Sequence, residues 1–184
     1  VKATRQVIQD VVLLEPKVFG DERGFFLESY KRDSFLAATG IDPDFVQDNH
    51  SSSGRNVLRG LHLQTEPQAQ GKLVRVVKGA IWDVAVDVRP ESPTFKKWIG
   101  VELSAQNHRQ LWIPAGLAHG FFTLEEDSEV LYKTTAPYAP ECERTVRWDD
   151  PDLAVDWHLQ GRTPVLSAKD QAGLSLQEFL AATP

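Results

Sequence analysis

Two runs set closest together in the middle of the chain limit its fold more than any other feature. Lys72-Leu73-Val74-Arg75-Val76-Val77 and Ala80-Ile81-Trp82-Asp83-Val84-Ala85-Val86-Asp87-Val88 are rich in valine and isoleucine and alternate in character, which predicts two β-strands. Lys78-Gly79 between them reads as a two-residue hairpin turn. On the second strand Trp82, Val84, Val86 and Val88 make one apolar face, and Ile81, Asp83, Ala85 and Asp87 make the other. Asp83 then either enters a cavity or meets water, and water is the expectation.

The same signal recurs along the chain. Residues 5–14 suggest an entry strand, and Phe19 to Glu28 holds a turn before a second strand, placing Phe26 and Glu28 on one face. Phe45 to His50 is a brief strand running into Ser51-Ser52-Ser53-Gly54, read as a flexible loop. Further strands are expected at 98–103, 109–113, 120–124, 129–135 and 145–148. Only two helices are expected. One runs from Asp33 to Thr39, with an Asp or Ser cap and Gly40 as its stop; the other follows the capping box of Ser175 and Glu178. Many short strands and few helices predict an all-β sandwich or barrel in a single domain over residues 1–184, and closure of such a barrel would enclose a pocket.

Composition narrows the partners. The formal net charge of -6 argues against a nucleic-acid binder that neutralises phosphates. The longest aliphatic run, Val11 to Leu14, is too short for a bilayer span. Val1 to Arg5 lacks the apolar core of a signal peptide, and Cys142 alone forms no internal disulfide, so a reducing, cytoplasmic setting is expected. From Arg55 to Lys78, however, the cations Arg55, Arg59, Lys72, Arg75 and Lys78 face one anion, Glu66. Such a focus suits a small anionic ligand, and equally a solvated cationic face.

Within that region lies Arg59-Gly60-Leu61-His62-Leu63-Gln64. As a strand it projects His62 and Gln64 to one face and Leu61 and Leu63 to the other. An imidazole among polar groups is an acid/base candidate, and a hydrogen-bonded core histidine fits the same pattern. His50, His108 and His158 have no evident partners and read as surface or structural residues. Cys142, between Glu141 and Glu143, is a poor nucleophile because neighbouring anions disfavour a thiolate.

Pro114-Ala115-Gly116-Leu117-Ala118-His119 resembles the second motif of the cupins, which implies a cupin-like jelly-roll barrel with a few short peripheral helices. Cupins typically bind a metal through a His-x-His pair, a glutamate and the second-motif histidine. Here Gln64 replaces the second histidine and is a poor ligand, so no metal is expected. The closer resemblance runs nearly end to end and is to the dTDP-4-dehydrorhamnose 3,5-epimerase family. It is carried by Phe19 to Glu28, Gln47-Asp48-Asn49, Arg59 to Gln64, Lys72, Ile113 to Phe121, Tyr132, Glu143, Trp148 to Trp157 and Ser167-Ala168-Lys169-Asp170. It implies a cofactor-free homodimer that epimerises C3 and C5 of a dTDP-4-keto-6-deoxyhexose. It further implies that His62 is the base, Asp170 its orienting carboxylate, Lys72 the cation at the enolate oxygen and Tyr132 the acid. Arg23, Glu28, Gln47, Asn49, Arg59, His119, Glu143 and Lys169 match nucleotide-sugar binding positions, and Phe19, Phe26 and Tyr138 are candidates for stacking on thymine or sugar.

The chemistry wants these groups. Removing a hydrogen beside a ketone puts negative charge on oxygen, where a preorganised cation stabilises it. Inversion needs proton removal on one face and delivery on the other, hence two groups. A neutral phenol, with a pKa of about 10, can deliver. Guanidinium groups such as Arg23 and Arg59 suit diphosphate. Three rivals stand beside this reading: a mono-epimerase, a metal-dependent cupin enzyme using His62 and His119, and a non-catalytic sugar-nucleotide binding module. Binding alone does not require His62, Lys72, Tyr132 and Asp170 together.

Overall fold

The computed structural model describes residues 1–182. In chain order the strands are β1 (Lys2–Arg5), β2 (Val12–Glu15), β3 (Val18–Asp21), β4 (Gly24–Leu27), β5 (Gln47–Ser53), β6 (Leu58–Gln64), β7 (Lys72–Lys78), β8 (Ala80–Asp87), β9 (Trp98–Ser104), β10 (Gln110–Ile113), β11 (Leu117–Thr123), β12 (Ser128–Thr134) and β13 (Glu143–Thr145). The helices are α1 (Arg32–Thr39), α2 (Ala168–Gln171) and α3 (Leu176–Ala182). A six-stranded sheet runs β1-β2-β10-β7-β12-β5, a five-stranded sheet β13-β6-β11-β8-β9, and β3-β4 stand apart as a two-stranded hairpin. This is the expected all-β jelly roll with short peripheral helices.

Between the sheets, Val74, Val76, Leu111, Ile113 and Val130 of the larger meet Ile81, Ala85, Ile99, Leu103, Leu117 and Phe121 of the smaller. Both outer faces are partly covered as well. The C-terminal segment lays Val146, Leu153, Trp157, Leu176 and Phe179 over Leu58, Leu61, Leu63, Val84, Val86 and Phe122. Phe35 of α1, with Tyr30 and Phe45, covers Val12, Leu14, Leu73 and Trp112. Burying apolar surface on both sides of the central strands is the main stabilising term, and it explains why β11 is buried throughout.

The structure corrects several expectations. β7 and β8 are not a hairpin: β7 pairs with β10 and β12, β8 with β11 and β9, so the chain changes sheets at Gly79. Both strands have the composition of a ladder partner, and short-range pattern does not reveal which sheet each joins. The serines 51–53 belong to β5, paired throughout with β12. α1 starts after Lys31, which makes no side-chain cap, and ends at Gly40. Ser175 and Glu178 do form the reciprocal box, Glu178 Oε2 accepting from the Ser175 amide at 2.8 Å and Ser175 Oγ from the Glu178 amide at 3.2 Å. The three further histidines have partners: His50 meets Glu129 at 3.0 Å, His108 packs on Phe25, and His158 stacks on Trp82. No helix among the described residues is long and apolar enough to cross a membrane.

β6 and β11 pass unusually close to one another. A Cβ on Gly60 would lie 2.6 Å from Gly120 Cα, and one on Gly120 would lie 2.6 Å from Arg59 O. Gly60 also has φ +126°, which L side chains rarely adopt. Beside this contact His62 and His119 are direct cross-strand partners. Gly60→Ala is expected to lower stability by roughly 1–3 kcal/mol, from strain plus the clash. Gly54→Ala, where an added Cβ meets nothing within 4 Å, should stay within about 0.5 kcal/mol of the parent. Urea denaturation midpoints check the pair.

Candidate active site

His62 stands on the interior face of β6, between Thr145 of β13 and His119 of β11. Its Nε2 lies 2.5 Å from Asp170 Oδ1. A carboxylate only accepts, so the proton of neutral His62 sits on Nε2 and leaves the Nδ1 lone pair free. Asp170 is itself fixed: Ser167, the N-cap of α2, donates its hydroxyl to Oδ2 at 2.7 Å, and the Gly60 amide donates to Oδ1 at 3.3 Å. Burial lowers the His62 pKa, only partly offset by the hydrogen bond and charge of Asp170, so the imidazole is neutral and basic at neutral pH. Burial works against the charge of Asp170, but the bonds from His62 and Ser167 outweigh it and its pKa is lowered.

Lys72 opens β7 on the facing sheet. It is buried, its ammonium donates to the His62 carbonyl at 3.4 Å, and burial lowers its pKa to about 8, against the raising influence of Asp83 and then Glu143. It therefore carries its charge at neutral pH. Tyr132 lies on β12, opposite Val74 and Asn49. Burial raises its pKa, with Arg59 opposing, so the phenol keeps its proton.

One cavity is lined by Gln47, Asn49, His62, Leu63, Gln64, Gln70, Lys72, Tyr132, Tyr138 and Glu143. Glu143, on β13, takes hydrogen bonds from Lys169 and, at 3.0 Å, from the Tyr138 hydroxyl; burial opposes its charge but these bonds lower its pKa. Gln47 bonds Asn49 Oδ1 at 2.9 Å and accepts from the Tyr138 amide at 2.9 Å. Arg59 donates to Ser53 Oγ at 3.0 Å and to the Ser52 carbonyl, close enough to Tyr132 to act on its charge. Gln64 commits its amide to backbone, donating to the Gln68 and Pro137 carbonyls and accepting from the Ala139 amide. Among the described residues no three His, Cys, Asp or Glu side chains gather in an arrangement able to hold a metal ion.

Seven of the site residues singled out in the sequence line this cavity, His62, Lys72, Tyr132, Gln47, Asn49, Tyr138 and Glu143; Asp170 and Lys169 adjoin it through their bonds to His62 and Glu143, and Arg59 lies near Tyr132. His119, the cross-strand partner of His62, is buried and lies 2.7 Å from Asp83 Oδ1. Four others lie away from the cavity. Arg23 pairs with Asp21, Glu28 accepts from Ser34, and Phe19 and Phe26 are 53% and 70% exposed on or beside the β3-β4 hairpin.

Asp83 was expected in water and is instead fully buried. The signal for its placement was present: its neighbours on that face, Ile81 and Ala85, are apolar, and a strand apolar on both faces is covered on both. The helix α2, and with it the capping role of Ser167, was missed because a four-residue helix carries too few residues for a periodic pattern.

The family model of dTDP-4-dehydrorhamnose 3,5-epimerase matches residues 5–178. The dTDP-4-dehydrorhamnose 3,5-epimerase of Pseudomonas aeruginosa is 60% identical over 172 residues, spanning 94% of each chain. That of Salmonella typhimurium is 55% identical over 176 residues, spanning 96% of each. The crystal structure of a dTDP-6-deoxy-D-glucose-3,5-epimerase from Legionella pneumophila, in complex with dTDP-4-keto-L-rhamnose, superposes with a TM-score of 0.92 at 48% identity, covering 96% of this chain and 93% of that one. By its matched length and its identity to these relatives, the chain belongs to the dTDP-4-dehydrorhamnose 3,5-epimerase family.

Proposed function

We propose that this chain epimerises a dTDP-4-keto-6-deoxyhexose at C3 and C5, giving the dTDP-4-dehydro-L-rhamnose configuration, with the residues gathered around His62 as its catalytic set. The observation that carries the residue assignment is the origin of the two proton-transfer groups: His62 comes from the five-stranded sheet and Tyr132 from the six-stranded sheet, yet both line one cavity. A sugar ring lying between the sheets is reached from opposite faces.

His62 removes the hydrogen beside the C4 ketone through Nδ1, and Asp170 stabilises the imidazolium that forms. The charge that develops on the C4 oxygen is met by Lys72. Tyr132 then gives its proton to the opposite face of the same carbon; His62 releases its proton to solvent, Tyr132 takes one back from solvent, and the sequence repeats at the second carbon. Gln47, Asn49, Arg59, His119, Glu143 and Lys169 hold the nucleotide sugar, Arg59 suiting the diphosphate. Tyr138 is a stacking platform at the mouth.

The exposed hairpin suits a homodimer. Arg23, Phe19, Phe26 and the adjoining Glu28 reach no cavity of their own chain's His62, so a second copy of this chain is the natural owner of the site they complete, with thymine and diphosphate between them. The buried Cys142 has no disulfide partner, which supports a reducing, cytoplasmic setting.

Incubation with dTDP-4-keto-6-deoxy-D-glucose, followed by NMR, should show the doubly inverted product; an unchanged sugar would contradict the assignment. His62→Asn is expected to lower the rate about 100- to 10,000-fold and to abolish hydrogen exchange with heavy water. Tyr132→Phe should lose epimer formation while still exchanging hydrogen, since base and Lys72 remain. Epimerisation at the parent rate in either variant would remove that residue from its role.

The rate should also trace a bell in pH. The active form has neutral His62 and cationic Lys72, so activity falls as pH drops through the lowered His62 pKa and falls again as pH rises through about 8. A rate still climbing well above that value would exclude Lys72 as the required cation.

For the dimer, sedimentation should give twice the 20.6 kDa chain mass. Arg23→Ala should weaken dTDP binding roughly tenfold, the loss of one charged hydrogen-bonded contact. Mixing Arg23→Ala with His62→Asn should then restore activity, because one site of each mixed dimer holds both native residues. No recovery on mixing would place Arg23 in its own chain's site.

A further inference from the structure

Gln64 has no part in the proton transfers, yet it is buried at the end of β6, two residues after His62, and lines the same cavity. Its Nε2 donates to the Gln68 carbonyl at 2.6 Å and to the Pro137 carbonyl at 3.1 Å, and its Oε1 accepts from the Ala139 amide at 2.9 Å. Both amide hydrogens are thereby spent on backbone, and none remains to donate to a ligand. Pro137 and Ala139 flank Tyr138, whose own amide donates to Gln47 Oε1 at 2.9 Å. One step earlier, the Ala136 carbonyl accepts from Gln70 Nε2 at 2.8 Å. Residues 136–139 form the strap that leaves β12 on the six-stranded sheet for β13 on the five-stranded sheet. Among the described residues, Ala136, Pro137 and Tyr138 make no backbone-to-backbone hydrogen bond. Three glutamines from β5, β6 and the loop before β7 hold the strap instead, and all three line the cavity. The Tyr138 hydroxyl in turn reaches Glu143, the cross-strand partner of Gln64.

We propose that Gln64 is a positioning residue for substrate binding: by gripping the Pro137 carbonyl and the Ala139 amide it sets Tyr138 over the cavity, with Gln47 and Gln70 completing the clasp. The inference rests on the function proposed above, in which Tyr138 is the stacking platform. Held on both sides of Tyr138, the backbone fixes the direction in which that side chain leaves it. Without Gln64 the strap shifts and binding weakens, because a platform that must be ordered when the ligand arrives costs affinity. His62 and Lys72 stand on paired strands of their own and go on exchanging hydrogen at the bound sugar.

The test is steady-state kinetics with dTDP-4-keto-6-deoxy-D-glucose, read both as epimer formed and as deuterium taken up from heavy water. It compares the parent, Gln64→Leu, Tyr138→Ala and the double variant. Gln64→Leu, similar in size but without the three bonds, should raise KM about three- to tenfold and leave deuterium uptake at saturating substrate within about threefold of the parent. Tyr138→Ala should raise KM by a similar factor. Adding Gln64→Leu to it should then change KM by less than about twofold, because the group through which Gln64 acts is gone. Gln70→Leu, which removes only the Ala136 bond and lies on a half-buried loop, should show the same dependence on Tyr138 at smaller size, and it carries the test if Gln64→Leu does not fold. KM factors that multiply in either double variant would overturn the proposal, since the glutamine would then act on the substrate or the fold without Tyr138. A fall in saturated uptake at unchanged KM would overturn it too, as the mark of a distorted β6 that displaces His62. A parent that neither epimerises nor takes up deuterium removes the underlying function, and this proposal with it.

Discussion

Lys72 and Asp83 lie inside the barrel on facing sheets, where leaving an ion unpaired costs several kcal/mol. The interior tolerates them because each ionisable group there has a partner of suitable sign or a hydrogen bond. Asp170 has His62, Ser167 and the Gly60 amide; Glu143 has Lys169 and Tyr138; Asp83 has His119. The same desolvation that makes the arrangement costly leaves it reactive. It keeps the imidazole of His62 neutral, the phenol of Tyr132 protonated and the Lys72 pKa near 8, the protonation states that enolate chemistry requires.

The sandwich gives this chemistry its stereochemical sense. The apolar half of the interior, with Val74, Val76, Ile81, Ala85, Leu111 and Phe121, locks the sheets together. The polar half holds the candidate site, so a rigid hydrophobic contact sets the spacing of the groups proposed to act on the ligand. Because neighbouring strands are held at Gly60 and Gly120, His62 and His119 stand side by side while each turns to its own carboxylate. The C-terminal segment has two tasks. Trp157, Leu176 and Phe179 seal the outer face of the smaller sheet, and Asp170 at α2 reaches through to His62. A register error of one residue in β6 would turn His62 into the outer apolar layer and end both arrangements.

Strands were legible wherever a period of two met β-branched residues, as in β7, β8 and β9, and helix ends were legible where Gly40 or the Ser175 and Glu178 box marked them. Pairing was not. The turn at Lys78-Gly79 looks like a hairpin because its flanks alternate, and only the competition among all strands for partners sends β7 and β8 to different sheets. Ser51 to Ser53 read as loop by composition, yet β12 supplies a ladder along that whole edge. Most of the candidate site was visible because its residue types match a family's, not because spacing alone demanded them. Asp83 escaped because a carboxylate on an alternating strand ordinarily faces water, although Ile81 and Ala85 on its own face are apolar; its hydrogen-bond partner His119 lies 36 positions away.

The central claim is that inversion uses two groups, one from each sheet, and a single turnover in heavy water tests it most directly. Enzyme in excess over unlabelled dTDP-4-keto-6-deoxy-D-glucose is quenched after one conversion, and deuterium is located by NMR. A proton delivered by Tyr132, which equilibrates with solvent before each delivery, predicts deuterium at each inverted carbon of the first product formed. Product that keeps the substrate's own hydrogen at those carbons would mean that one group carries the proton from face to face, and would contradict the account.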